Sequence, residues 1–208
     1  ADGAYANTTD GVCQTSTGGQ CTLRAAIQQA NASAGANTIT FNIPGAGPHT
    51  LQPTSVLPRI TDAVIINGTS EPDFAGTPII ELDGSLAGVG VNGLTVEAGN
   101  CTIRGLVINR FTGDGIRLDI NDNNIVVGNY LGTDVTGTLD RGNLGSGILL
   151  YYQSGGNIIG GTTAADRNVI SGNDYHGIFN QWSAANVIQG NIIGLDASGN
   201  AILPNGVS

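Results

Sequence analysis

Lysine and methionine are missing from this 208-residue chain, and its 7 basic side chains are all arginine. Charged residues make up only 11% of it, against the usual quarter, and aromatic residues only 5%. The formal net charge is -9. No basic patch is therefore available to neutralise phosphates, which excludes a nucleic-acid partner. No apolar run reaches the roughly 18 residues that mark a membrane-spanning helix, which excludes such a span. A leader-like segment is missing too. The chain opens ADGAYANTTDG and closes ILPNGVS in mid-repeat. Both ends read as cut, and the chain is expected to be part of a longer protein. With only 3 cysteines and 2 histidines, a zinc site has too few ligands.

What is present is glycine, 33 residues of it, and hydrophobic content of 40%, enough for a substantial core. Cys13 and Cys21 flank the flexible stretch QTSTGGQ, a loop suited to closure by a disulfide, and with it an oxidising compartment. Cys101 lies in the apolar run CTIRGLVI and reads as a buried free thiol acting as a small hydrophobe. One segment has helical periodicity. Leu23, Ala26, Ile27 and Ala30 share a face, Thr22 can cap the start, and Gly35 can end it.

The rest is short apolar runs bounded by Gly, Asn and Asp, such as TITFNI, AVIINGT and SGILLYY, which read as strands. NNIVVGNYLGTDVTG, from Asn123, returns 62 residues later as ANVIQGNIIGLDASG. Gly-Ile or Gly-Val pairs start at Gly115, Gly147, Gly177 and Gly206, at steps of 32, 30 and 29. Asn-headed strands start at Asn124, Asn157 and Asn186, at steps of 33 and 29. Upstream, Gly93 and Asn100 continue both series at shorter steps of 22 and 24. Two markers advancing together by about 30 residues describe a coil, and 62 residues are two turns of it. The fold predicted is all-β: a right-handed parallel β-helix in which each strand pairs with its copy one turn on, preceded by a short N-terminal capping α-helix. Residues 1–45 form the cap segment and residues 46–208 the repeats, one continuous domain open at its C-terminal end. Ile116, Ile148, Ile178 and Val207 are expected to stack as an interior ladder, and Asn124, Asn157 and Asn186 as an amide ladder. Gly128, Gly161 and Gly190 are expected at tight bends.

The segment GVCQTSTGGQCTLRAAIQQANASAGANTITFNIPG resembles the CSLREA-type segment that opens many large bacterial surface and secreted proteins. Its core CTLRAAI carries the likeness, with Ala25 where a Glu is usual. The downstream GNYLGTD and NIIGG…RNVISGN…GI patterns are similar to the right-handed parallel β-helix repeats of those proteins. The resemblance covers nearly the whole chain. It implies an extracellular β-helix with a helical cap, and no defined activity.

Pectin-degrading enzymes share this architecture, so chemistry has to be sought residue by residue. The polygalacturonase-like set (Asn-x-Asp, Asp-Asp, Gly-His-Gly, Arg-x-Lys) is absent from the sequence. A lyase would pair a basic residue with an acidic cluster; Arg110, Asp114, Arg117, Asp119 and Asp122 are the nearest approach, and they read as a solvated face with Arg–Asp pairs. Asp134 and Asp196, two turns apart, stand roughly 10 Å from each other on strand spacing, too far to share a metal ion, and read as closing their own loops. No metal site is assigned, and calcium held by such a loop is the one cofactor left open. Register on the Gly markers puts Ile120, Tyr152 and Trp182 in one column, beside Asp119, Tyr151 and Gln181. Tyr151, Tyr152, Tyr175 and Trp182 form an aromatic strip suited to sugar rings or a partner protein, or else a locally packed corner.

The leading functional reading is a non-catalytic extracellular or cell-surface structural or adhesive protein, forming a filament or coat by end-to-end stacking. Its partners are then other copies of itself or further repeats of a longer chain. The alternatives are a polysaccharide-processing, pectin-lyase-like enzyme and a carbohydrate-binding module, either of which makes polysaccharide the partner.

Overall fold

A computed structural model describes residues 2–4, 13–16, 19–120 and 122–206. Among these described residues helix α1 (Leu23–Ala32) is followed by sixteen strands. The first turns hold β1 (Asn37–Thr40), β2 (His49–Leu51), β3 (Val64–Asn67), β4 (Ile80–Asp83) and β5 (Leu94–Val96). Next come β6 (Thr102–Arg104), β7 (Leu106–Asn109) and β8 (Ile116–Asp119), then β9 (Ile125–Val127), β10 (Tyr130–Leu131) and β11 (Ile148–Tyr151). The last two turns hold β12 (Ile158–Gly160), β13 (Val169–Ile170), β14 (Ile178–Gln181), β15 (Val187–Gln189) and β16 (Ile192–Ile193).

These strands form three parallel sheets, a parallel β-helix. The first sheet runs β1-β3-β6-β9-β12-β15, the second β2-β4-β7-β10-β13-β16, and the third β5-β8-β11-β14. Because β1 belongs to the first sheet, the coil already begins inside the segment 1–45. Period-2 alternation aims one side-chain set inward. In the first sheet Ile66, Ile103, Val126 and Ile159 align and are fully buried. In the second Leu82, Ile108, Leu131 and Ile170 do so. In the third, Leu94, Ile116, Ile148 and Ile178 share one register, with Ile178 partly buried in the last turn. Each fully buried aliphatic side chain contributes roughly 1.5–3 kcal/mol. Val207 lies outside the described residues.

The strands are short, so much of each turn is corner, and a buried corner N–H needs an acceptor. Asparagine supplies it three times over. Asn124 N–H donates to Asn157 Oδ1 (2.8 Å) and Asn157 N–H to Asn186 Oδ1 (3.0 Å). A second series runs from Asn129 N–H to Asn168 Oδ1 and from Asn168 N–H to Asn191 Oδ1. A third links Asn143, Asn173 and Asn205 in the same way. The side-chain NH2 groups reach the adjoining turns as well. Asn168 Nδ2 donates to Val126 O and to Asn191 Oδ1, and Asn173 Nδ2 to Leu131 O and to Asn205 Oδ1. Asn157 Nδ2 donates to Ser154 Oγ and to Asn186 Oδ1.

The Asn100 marker is corrected by one residue. Cys101, not Asn100, occupies the foot of the first ladder, its N–H donating to Asn124 Oδ1 across 23 residues. Asn100 instead starts a column of left-handed residues continued by Asn123, Gly156 and Ala185 (φ 59–63°). Gly93, Gly115 and Gly147 are required by close approach: a Cβ there would stand 2.4–2.8 Å from the carbonyl oxygen of the next turn's glycine. Of the three bend glycines, Gly128 and Gly190 have φ near +65°, whereas in the middle turn Gly160 rather than Gly161 takes the left-handed conformation.

The N-terminal end is covered by α1. Thr22 Oγ1 accepts from Ala25 N–H at its start. The helix stops at Ser33, before Gly35, and Asn37 Nδ2 donates to the carbonyls of Ala30, Ser33 and Gly35. Ile27 and Ala30 pack on the first coil residues. Cys13 and Cys21 are joined in a disulfide, and Cys101 is a free, buried thiol.

Asn157 is fully buried and serves the turns on both sides, whereas the Asp134 carboxylate serves its own loop. Asn157→Leu strands the Asn124 amide, at roughly 1–3 kcal/mol for each buried group left unpaired. Urea denaturation is expected to show a larger stability loss for Asn157→Leu than for Asp134→Ala; equal or reversed losses would refute the ladder's role.

Candidate functional site

The third sheet carries Tyr151 and Phe179 on its outer face, and Tyr152 and Trp182 directly follow its strands β11 and β14. Outward positions of β8, β11 and β14 alternate with the buried isoleucines. One column reads Arg117, Leu149, Phe179 and the next Asp119, Tyr151, Gln181. Arg117 Nε donates to Asp119 Oδ2 (3.2 Å), and the guanidinium lies 4.1 Å from the centre of the Tyr151 ring. A cation–π contact thus ties the Tyr151 ring to the Arg117–Asp119 pair. Tyr151 meets both Tyr152 (6.3 Å) and Trp182 (6.4 Å). The rings in contact across adjacent turns are therefore Tyr151 and Trp182, with Tyr151 also touching Tyr152. Tyr175 belongs to a separate group with His176 (4.2 Å) and Phe179 (6.2 Å, edge-on).

Ile120, Tyr152 and Trp182 share one corner, and all three have left-handed backbone, φ 67°, 42° and 60°. For a β-branched residue such as Ile120 this is an outlier conformation. Holding side chains at such a corner costs about 1–3 kcal/mol each. The result is that Trp182 stands 70% exposed and Tyr152 49%. Periodicity gives the column; nothing in the sequence marks the left-handed corner, because glycine, its usual signal, is absent there.

Two of the acidic residues, Asp114 and Asp122, are engaged in holding the coil. Asp114 Oδ1 accepts from Ser146 N–H and Asp122 Oδ1 from Gly155 N–H, each one turn on. On the second sheet Glu81 and Asp83 form a buried pair that sequence reasoning missed. Arg110 lies 2.9 Å from Asp83 and 3.8 Å from Glu81, Thr50 and Asn109 donate to Glu81, and Gln52 donates to Asp83. Their alternation on a strand, Glu-Leu-Asp, was the available signal. Among the described residues no three His, Cys, Asp or Glu side chains group as metal ligands.

Asp134 and Asp196 occupy matching loops closed by the bridges Thr133–Asp140 and Leu195–Ile202. Burial pushes the Asp134 carboxyl up, but donation from Leu139 and Thr138 N–H and from the Thr136 hydroxyl outweighs it and holds the group below the usual carboxylate range. The Ser198 hydroxyl, with Ala201 and Asn200 N–H, does the same for Asp196. The loops touch: Ala197 N–H donates to Gly137 O (2.9 Å). The turn between them carries no such loop. Asp114 is the opposite case, since burial raises its carboxyl above the usual range despite the Ser146 amide and Arg117.

The signs follow. Asp134 and Asp196 contribute stability that is present above the unfolded carboxylate value of about 3.9 and lost as pH falls through their lower folded values. Asp114 contributes in the reverse sense, with stability present below that value and lost as pH rises through its own. Melting followed by circular dichroism at pH 3 and pH 7 is expected to show a smaller acid loss for Asp134→Asn than for the parent. Asp114→Asn, which keeps the acceptor for Ser146, is expected to raise the melting temperature at pH 7.

No protein-family model matches the chain and no curated protein matches it, so the geometry is the ground for a functional reading.

Proposed function

We propose that the chain is a non-catalytic extracellular structural protein, a stiff section of coil that displays its outer faces and stacks end to end. One observation carries this reading: three of the charged residues nearest to a catalytic set are engaged in joining turn to turn, Asp114 on Ser146, Asp122 on Gly155 and Arg110 on Asp83. The Cys13–Cys21 disulfide is compatible with an oxidising compartment. No described helix is long and apolar enough to cross a membrane.

The stacking surface is the last described turn, that of β14, β15 and β16. There Ile188 is 45% exposed and Ile193 46%, while Ile159 and Ile170, their counterparts one turn earlier, are fully buried. Apolar rungs of this kind are a template for another turn, of this chain or of a second copy, and a head-to-tail contact between copies builds open rods. Sedimentation across a wide concentration range is expected to show self-association that Ile188→Arg with Ile193→Arg abolishes. A dispersed monomer at every concentration would rule stacking out.

A second reading, a carbohydrate-binding face, rests on Trp182 and Tyr152 being held exposed beside the Arg117-pinned Tyr151. Flat aromatic surfaces of this kind suit sugar rings. On a glycan array, any bound polysaccharide is expected to be lost with Trp182→Ala at unchanged melting temperature; retained binding would exclude this face.

A further inference from the structure

A second feature, independent of the scaffold reading, lies outside the corner between the first and second sheets. A groove of about 320 Å³ is bordered by Arg104, at the end of β6, and Arg167, after the turn Ala164–Asp166. Its other borders include Phe74, Val127, Tyr130 and Val169, and no acidic residue lines it. In a chain of net charge -9 that is unexpected. Arg24, Arg59, Arg110 and Arg117 each have a carboxylate partner. Among the described residues Arg104, Arg141 and Arg167 have none, and of these three Arg104 and Arg167 face this groove.

The donors in the groove have unused capacity. Arg104 Nε is buried without a hydrogen-bond partner, a state that costs free energy unless something fills it. Arg167 is anchored through Nε to Gly190 O (3.0 Å), which fixes the side chain and leaves its terminal nitrogens to a ligand. Asp166, its neighbour in sequence, instead accepts from Thr163 Oγ1. Burial raises the Tyr130 phenol, which keeps its proton available for donation. Val127, Tyr130 and Val169 are buried and supply an apolar floor.

We infer that this groove binds a small organic carboxylate with an apolar body, the carboxylate between Arg104 and Arg167 and the body over Val127, Tyr130 and Val169. A planar guanidinium matches a carboxylate in two-point fashion, and the apolar floor disfavours a compact, strongly hydrated anion.

Benzoate tests it, with benzamide as the uncharged isostere and inorganic phosphate as the bare anion, titrated into the 208-residue chain and followed by NMR. Benzoate is expected to bind about tenfold or more tightly than benzamide, the ratio that a charge-assisted bond gives, and phosphate not to displace it. Arg104→Gln is expected to remove that preference while benzamide binding stays within about twofold, and Arg167→Gln to weaken benzoate alone. Both variants replace groove side chains rather than interior ones, and unchanged melting curves verify their folding. Absence of benzoate binding, equal affinity for benzoate and benzamide, displacement by phosphate at comparable concentration, or an unaltered Arg104→Gln variant would each overturn the assignment.

Discussion

The structure depends on how a coil of short strands satisfies its corners. Sheet pairing takes care of two to four residues at a time. Between strands the backbone turns inside a space closed to water, where an unpaired N–H costs as much as a sheet bond contributes. Asparagine fits this requirement because its amide is both acceptor and donor and can bond to the turns on either side. Each ladder therefore fixes the register of its corner. Once the three corners are fixed, the aliphatic columns have one alignment that keeps every rung inward.

The ladders also explain the long repeat. The steps are 33 and 29 residues in the first, 39 and 23 in the second, and 30 and 32 in the third. No corner advances evenly, yet every pair of steps comes to the same two-turn total. The unequal steps arise because the Asp134 and Asp196 turns carry the Asp-centred loop at one corner, whereas the turn between is plain there and carries the Ala164–Asp166 insertion at another. The loops then bond to each other over the plain turn, through Ala197 and Gly137. The lowered carboxyls of Asp134 and Asp196 are a local result of closing those loops, and Arg167 lies in the plain turn beneath the second of them.

Much of the coil was legible because stacking makes residues recur. Gly115 and Gly147 recur at near-constant intervals since a neighbouring carbonyl leaves no room for a Cβ, and Ile116 and Ile148 follow them inward. The second and third ladders were harder to see. A comparison across two turns pairs Asn129 with Asn191 and Asn143 with Asn205 and skips the middle members Asn168 and Asn173, and Asn168 also sits at the uneven steps of 39 and 23 residues. Asn100 was misplaced by one because an adjacent Asn and Cys compete for the same column, and only the hydrogen bond to Asn124 decides. The outer faces were least legible. Arg117 and Asp119 could be placed on one face, but the contact of Arg117 with Tyr151, the clustering of Glu81, Asp83 and Arg110, and the convergence of Arg104 with Arg167 join residues from different turns whose spacing obeys no period.

The alternation of looped and plain turns gives the molecule a structural unit twice the height of its strand spacing, about 9–10 Å along the axis. Lengthening the coil by a single turn would keep the interior ladders intact but set a looped turn against a looped one, or a plain against a plain. Lengthening it by a pair would leave the loop contact unbroken. The interior counts in ones and the exterior in twos, so any surface that something else recognises on the looped side is spaced at the larger interval, and a chain grown or trimmed by an odd number of turns would lose that spacing while remaining folded.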